Sequence, residues 1–267
     1  MKAAIRVPDP AKPLAQQDPD LLLAMCMFGE ARGESEMARR AVAQVVLNRA
    51  KNVRFDKGNR PKVRAEAGVV IANLARRTAS HGLAGIEWAA AVPGTIGGAV
   101  YGNAGAFGGD IAGSLIHAEL LTKQGRETWP VEKMAYGYRT SVLKQRAQKV
   151  VVLWAELRLE HSTNEVVSVK INEFSERRRA TQPPGASMGS MFKNPPGDFA
   201  GRLIEAAGLK GKRIGTAEIS PVHANFFINH GQTKAEDVRA LVNLAHKTVA
   251  EVFGVNLELE IELVGEW

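Results

Sequence analysis

The sequence has one cysteine, Cys26, in 267 residues, so no internal disulfide can form and an oxidising compartment is not required. No window reaches the roughly 18 uninterrupted apolar residues of a membrane helix. The opening MKAAIRVPDPAKPLAQQDPD carries four prolines and no apolar run, which excludes the hydrophobic stretch of a secretory signal. The expected location is therefore the cytoplasm, with no membrane partner. None of the six histidines (His81, His117, His161, His223, His230, His246) stands in an HExxH pattern, and one cysteine cannot build a thiolate zinc site, so no metal is expected. The only dense basic run, Arg177-Arg178-Arg179, lacks interleaved aromatics and reads as a solvated face or a phosphate contact, not a nucleic-acid surface. No fixed-period repeat and no low-complexity tract are present.

What is present is ordinary globular composition, 45% hydrophobic and 24% charged, with a net charge of +7 that is unevenly placed. Residues 1–64 carry 13 Lys and Arg against 7 Asp and Glu, whereas residues 65–267 carry 22 against 21. Nearly all the excess sits in the first quarter, which marks a seam between two parts.

In the basic part, Asp18-Pro19-Asp20 reads as a helix start, followed by the apolar run Leu21 to Phe28. Ser35 caps a second helix in which Met37, Ala41, Val42, Val45 and Val46 recur at helical spacing. The turn between them is Gly29-Glu30-Ala31-Arg32-Gly33-Glu34. Turn and helix (GEARGE, then AVAQVVLNR) resemble the start of the spore-cortex-lytic type of cell-wall hydrolase. That resemblance implies a role for Glu30 as the acid on a glycosidic bond; the alternative is a solvated glutamate at a helix end. The resemblance stops near Lys51–Phe55.

From Val63 onward the texture changes. Nine glycines fall within Gly82–Gly109, a density that belongs to close backbone approaches and not to helix or sheet interiors. Such a loop can turn its amides toward an anion or a planar cofactor. Downstream the pattern is α+β. Residues 151–160 alternate as a half-buried strand with Val151, Leu153, Ala155, Leu157 and Leu159 on one face. Asp198 is placed to cap a helix ending at Gly208. Thr233-Lys234-Ala235-Glu236 is a capping box opening a helix with Val238, Leu241, Val242, Ala245, Val249 and Val252, closed by Gly254. A last strand is expected from Leu257 to Val264.

Residues 63–267 resemble the bacterial UDP-N-acetylenolpyruvoylglucosamine reductases (UDP-N-acetylmuramate dehydrogenases). The motifs GLAGIEWAAAVPGTIGGAVYGNAGAFGG, YRTS, GSMFKNP, AGLKG with SPVHANFFIN, and GVNLELE stand in the family's order, and their spacing suggests the shorter of its two forms. The resemblance implies a vanillyl-alcohol-oxidase-like FAD domain and a substrate-binding domain. NADPH and FAD would be the cofactors, and UDP-N-acetylglucosamine enolpyruvate the small-molecule substrate. The implied catalytic residues are Ser190 as proton donor, with Arg139 and Glu260 flanking the substrate carboxylate and the enolate-like intermediate. Gly94, Thr95, Gly98 and Asn103 match the FAD-contacting loop, and Asn194 and Asn225 the substrate side.

The family's glycine-rich turn for the FAD pyrophosphate has no counterpart in residues 1–62, so weak or absent FAD binding is expected. The expected organisation is a basic helical hydrolase-like fragment over 1–61, a partial FAD-binding domain over 62–180, and a substrate-binding domain with the final strand over 181–267. Three activities follow as alternatives: the reductase step, a peptidoglycan hydrolase acting through Glu30, and a non-catalytic UDP-sugar-binding remnant.

Overall fold

The computed structural model describes residues 52–145 and 150–263. The chain divides into two compact units, one ending at Ser175 and the other beginning at Glu176. The division falls inside a long helix, Asn164–Thr181, a little before the expected boundary at 180/181.

The first unit is built on a five-stranded antiparallel sheet. Its strands are β1 (Val53–Asp56), β2 (Lys62–Glu66), β3 (Leu115–Thr122), β4 (Gly125–Pro130) and β5 (Val151–Arg158), in the order β1-β2-β5-β3-β4. Strand β1 pairs with β2 from Val53↔Ala65 to Asp56↔Lys62. Residues 53–56, read from sequence as the end of the basic fragment, therefore belong to this sheet. Helix α1 (Ile71–Ser80) buries Ile71, Leu74, Ala75, Thr78 and Ala79, the i, i+3, i+4, i+7 stripe of an amphipathic helix. Helix α2 (Ile96–Gly102) buries Ile96, Ala99 and Val100. Both pack into one apolar cluster with Val63 and Ala65 of β2, Ala118 and Leu120 of β3, and Ala155 and Leu157 of β5.

Strand β5 departs from the half-buried expectation, because every residue from Val152 to Leu157 is buried. It is the central strand, and its second face is covered by charged side chains of its neighbours. The Arg64 guanidinium lies 3.6 Å from the Trp154 ring centroid, and the His117 ring meets Trp154 edge-on at 5.4 Å. Glu156 accepts an ion pair from Lys62 at 2.7 Å. Long cationic side chains act here as a lid over an aromatic one.

The second unit has a four-stranded antiparallel sheet of β6 (Ala186–Ser190), β7 (Arg213–Ile214), β8 (Ala217–Ile219) and β9 (Phe226–Asn229), ordered β6-β9-β8-β7. Helices α4 (Ala200–Ala206) and α5 (Ala235–Phe253) complete it, α3 being the long helix Asn164–Thr181. Leu203, Ile204, Ala217, Ile219, Phe227, Leu241, Val242, Ala245 and Val249 form its core. Helix α5 closes as expected, with Gly254 at φ 68° donating its N–H to Ala250.

Three local expectations are corrected. Thr233 does not cap α5; its hydroxyl meets that of Thr216 at 2.8 Å, and the acidic Glu236 and Asp237 of the first turn complement the helix dipole instead. Val252 is exposed on the outer side of α5. Among the described residues the final segment forms no regular strand: it makes one isolated bridge, Phe192↔Leu259, just beyond the end of β6. Among the described residues, no helix is long and apolar enough to cross a membrane, and no group of three His, Cys, Asp or Glu is placed to hold a metal ion.

Gly109 packs directly under Trp88, where an added Cβ would lie 2.3 Å from Trp88 Cδ1. Gly109→Ala is expected to cost about 1–3 kcal/mol, the usual range for overpacking a tight contact. A denaturant melt checks this, and an unchanged midpoint would contradict the packing described.

Candidate functional site

In the first unit the expected cofactor loop is the N-terminal half of α2 and the residues leading into it. Gly94 adopts φ 108°, and both Gly94 and Gly98 are exposed. A methyl group at Gly94 would meet no protein atom within 4 Å, and one at Gly98 only the Thr95 hydroxyl at 3.9 Å. This is bare backbone surface, which a flat ring system can approach closely.

The same loop does not offer the amides that the glycine pattern suggests. Ile96 N donates to Val69 O at 2.9 Å, Gly97 N to Ala67 O at 2.8 Å, and Gly98 N to the Thr95 hydroxyl at 3.5 Å. The expectation of amides turned toward an anion is corrected for these three donors: two brace the loop against residues 67–69 and the third bonds to Thr95 within the loop. The bare surface at Gly94 and Gly98 thus fits the planar ring of a flavin, while the amides of Ile96, Gly97 and Gly98 are committed within the protein.

At its other end α2 meets the segment carrying Arg139. The last carbonyls of a helix need partners from outside it. Val100 O accepts from the Tyr136 hydroxyl at 2.8 Å, and Tyr101 O accepts from the fully buried Ser141 hydroxyl at 2.6 Å. Asn103, in the left-handed region at φ 50°, caps the helix. Its Nδ2 donates to Gly137 O at 3.0 Å and to Asp110 at 3.4 Å, while its Oδ1 accepts from Ala112 N at 2.9 Å. The side chain expected to touch FAD is therefore occupied within the protein, and a role toward the cofactor falls to backbone at this position.

Tyr138 and Arg139 form the tip of a two-residue turn closed by Gly137 N→Thr140 O at 3.1 Å and Thr140 N→Gly137 O at 3.2 Å. Arg139 sits at φ 56°, where glycine is usual, and such a conformation costs on the order of 1 kcal/mol. The strain is sustained by the three contacts from Tyr136, Asn103 and Ser141. Arg139 itself is half-buried, its guanidinium 5.6 Å from the Tyr138 ring centroid. The sequence signal for Tyr136 and Ser141 was only their place beside the arginine; their partners lie some 35–40 positions upstream.

In the second unit, Ser190 ends β6 opposite Phe226, directly after Gly189 at φ 84°. The register of β6 against β9 shifts between Ser187 and Ser190, so a bulge re-aims the serine. Glu260 approaches from the other side: its N–H donates to Met191 O at 2.9 Å, next to Ser190, and Lys193 N donates to Glu258 O at 2.8 Å. The main chain of Glu260 is thus bonded to the residue that follows Ser190, and Ser190 and Glu260 are both half-buried.

Asn194 is exposed, and its Oδ1 accepts from Ala200 N at 3.1 Å at the start of α4. Asp198, expected to cap this helix, accepts from Phe199 N at 2.7 Å and pairs with Arg202, which holds its pKa down to about 2. Asn225 is 3% exposed, and its carboxamide is spent on Phe192: Oδ1 accepts from Phe192 N at 2.9 Å and Nδ2 donates to Phe192 O at 2.8 Å. One acceptor site and one N–H of that carboxamide are thus committed to the Phe192 main chain, a long-range pairing that the motif alone does not signal. Glu30, the alternative hydrolase acid, lies outside the described residues.

A profile of FAD-binding domains matches residues 31–129, beginning upstream of the seam read from the charges. A profile described as the UDP-N-acetylenolpyruvoylglucosamine reductase C-terminal domain matches residues 181–264. The chain is 50% identical over 211 residues to the UDP-N-acetylenolpyruvoylglucosamine reductase of Chloroflexus aggregans, covering 78% of this chain and 71% of that one. It is 44% identical over 222 residues to the reductase of Rubrobacter xylanophilus, covering 83% and 74%. A solved structure of the Thermus caldophilus reductase matches with a TM-score of 0.68 and 37% identity, over 74% of this chain and 71% of that one. The fold and the matched FAD-binding domain define a flavin-dependent oxidoreductase of α+β architecture. The chain belongs to the UDP-N-acetylenolpyruvoylglucosamine reductase family.

Ser141→Ala leaves the Tyr101 carbonyl without its buried donor and is expected to destabilise the first unit by about 1–3 kcal/mol. Thermal unfolding of the variant checks this, and wild-type stability would contradict a latch at the end of α2.

Proposed function

We propose that the chain catalyses the NADPH-dependent, FAD-mediated reduction of UDP-N-acetylenolpyruvoylglucosamine to UDP-N-acetylmuramate, a step in the supply of peptidoglycan precursors. The observation that supports this reading is the main-chain bond from Glu260 N to Met191 O at 2.9 Å, which joins the backbone of Glu260 to the residue after Ser190. When bound, FAD supplies the hydride chemistry, taking reducing equivalents from NADPH and passing them to the enolpyruvyl double bond.

The roles of this chain's own residues follow from their chemistry. Gly94 and Gly98, with Thr95 between them, expose the bare backbone that would receive the flavin ring. Ser190 delivers a proton from its hydroxyl to the carbon adjacent to the one receiving hydride. Arg139 offsets the negative charge of the substrate carboxylate and of the enolate-like intermediate, a charge-assisted contact stronger than a neutral one. Glu260 flanks the same intermediate. Asn194, whose Nδ2 retains two donors, contacts the diphosphate-sugar part. The nucleotide-sugar is the proposed small-molecule partner, and the cytoplasm the proposed location, as the source of NADPH and of the substrate.

The test is NADPH oxidation by the purified chain with FAD, with and without UDP-N-acetylenolpyruvoylglucosamine. Ser190→Ala is expected to lower substrate-dependent turnover by about 10²–10⁴-fold, the usual worth of a positioned acid, while NADPH still reduces the flavin. Turnover independent of the substrate, or undiminished in Ser190→Ala, would overturn the reading.

A further inference from the structure

The stretch Met191-Phe192-Lys193 has main-chain partners on both sides. On one side Met191 N donates to Asn225 O at 2.9 Å; on the other Met191 O accepts from Glu260 N at 2.9 Å and Lys193 N donates to Glu258 O at 2.8 Å. Phe192 would be left over. Strand β9 begins at Phe226, and the chain before it turns away, with Phe226 N bonded to His223 O at 2.9 Å. No peptide group is therefore in line with Phe192 on that side. The Asn225 carboxamide fills the gap, accepting from Phe192 N and donating to Phe192 O, the same donor–acceptor pair that a strand residue presents.

This substitute pairing sits two residues from Ser190, beyond the bulge at Gly189 where ladder pairing is already disturbed. The Phe192 ring is fully buried and meets Phe227 edge-on at 6.5 Å, so the carboxamide ties the serine's strand to the unit's core. Asn225 is itself oriented from behind, its N–H donating to His223 Nδ1 at 3.2 Å.

We propose that Asn225 is a positioning residue that sets Ser190 against Glu260 by standing in for a missing strand residue opposite Phe192. It acts on the reaction through the main chain and does not touch substrate. The inference rests on the reductase reading for the role of Ser190, but the clamp itself does not. Displacing a reacting group by about an ångström can cost on the order of 10²-fold in rate, which is the scale at which such a clamp matters.

Two measurements on the full chain test it. In hydrogen–deuterium exchange without ligands, Asn225→Ala is expected to speed exchange of the 190–193 segment at least ~10-fold, following loss of two buried hydrogen bonds. In steady-state kinetics with FAD, the same variant is expected to lose at least ~10-fold in kcat, with KM for the UDP-sugar and the rate of flavin reduction within about twofold of wild type. Leu203→Ala, which opens a cavity in the same core, serves as a destabilised control and is expected to keep kcat. If Asn225→Ala fails to fold, Asn225→Asp, isosteric and still able to accept from Phe192 N, carries the same test. Unchanged exchange would overturn the clamp. A raised KM with kcat preserved would make Asn225 a substrate contact, and an equal loss of kcat in Leu203→Ala would reduce its role to stability. A wild-type chain that turns nothing over would overturn the reductase reading and with it the proposed effect on Ser190, leaving the exchange result to decide the clamp alone.

Discussion

Every buried peptide group must find a hydrogen-bond partner, and in each unit this requirement shapes the backbone around the candidate residues. At the end of α2, where the helix can no longer satisfy its own carbonyls, the hydroxyls of Tyr136 and Ser141 do so, and the Asn103 amide ties in Gly137. The segment that meets those needs is the one that carries Arg139. At the end of β6, where the neighbouring strand runs out, the Asn225 carboxamide and the 258–260 segment complete the pairing. The stretch they complete adjoins Ser190. In each unit, then, a candidate site residue adjoins backbone that side chains from elsewhere in the unit hydrogen-bond. That arrangement sustains a left-handed arginine and a bulge beside a serine, both of which cost energy in isolation.

The sequence is most informative where structure is local. The close of α5 at Gly254, the presence of strand β5 and the α+β character all follow from patterns read within a dozen residues. It misleads where a long-range partner competes. Thr233 has the spacing of a capping residue, but a hydroxyl seventeen positions away captures it. The outer face of β5 has the polar tint of an exposed face, yet Arg64, His117 and Lys62 from adjacent strands cover Trp154 and Glu156. The 257–264 segment has strand periodicity, but its pairing is limited to the neighbourhood of one bridge.

The site residues divide along the same line. Motifs draw attention to Asn103 and Asn225 because both stand amid glycine-rich or serine-bearing turns. Their partners lie more than thirty positions away, Gly137 and Phe192 respectively, and no local pattern encodes those bonds. Hence a residue singled out by its motif can also be engaged with backbone far away in the sequence. The glycine loop shows the reverse. Its amides are committed to residues 67–69 and Thr95, so what it offers a cofactor is the absence of side chains at Gly94 and Gly98.

The bare face at Gly94 and Gly98 is the surface proposed to receive a flavin, and titrating FAD into the purified chain while following the visible absorption band tests it most directly. The FAD-binding domain match over residues 31–129 replaces the weak or absent binding expected from the missing glycine-rich turn. A perturbed flavin spectrum is expected to saturate at one FAD per chain, and to be weakened when Gly94→Leu or Gly98→Leu fills the surface. A free-flavin spectrum at every FAD concentration, or binding indifferent to both substitutions, would contradict it.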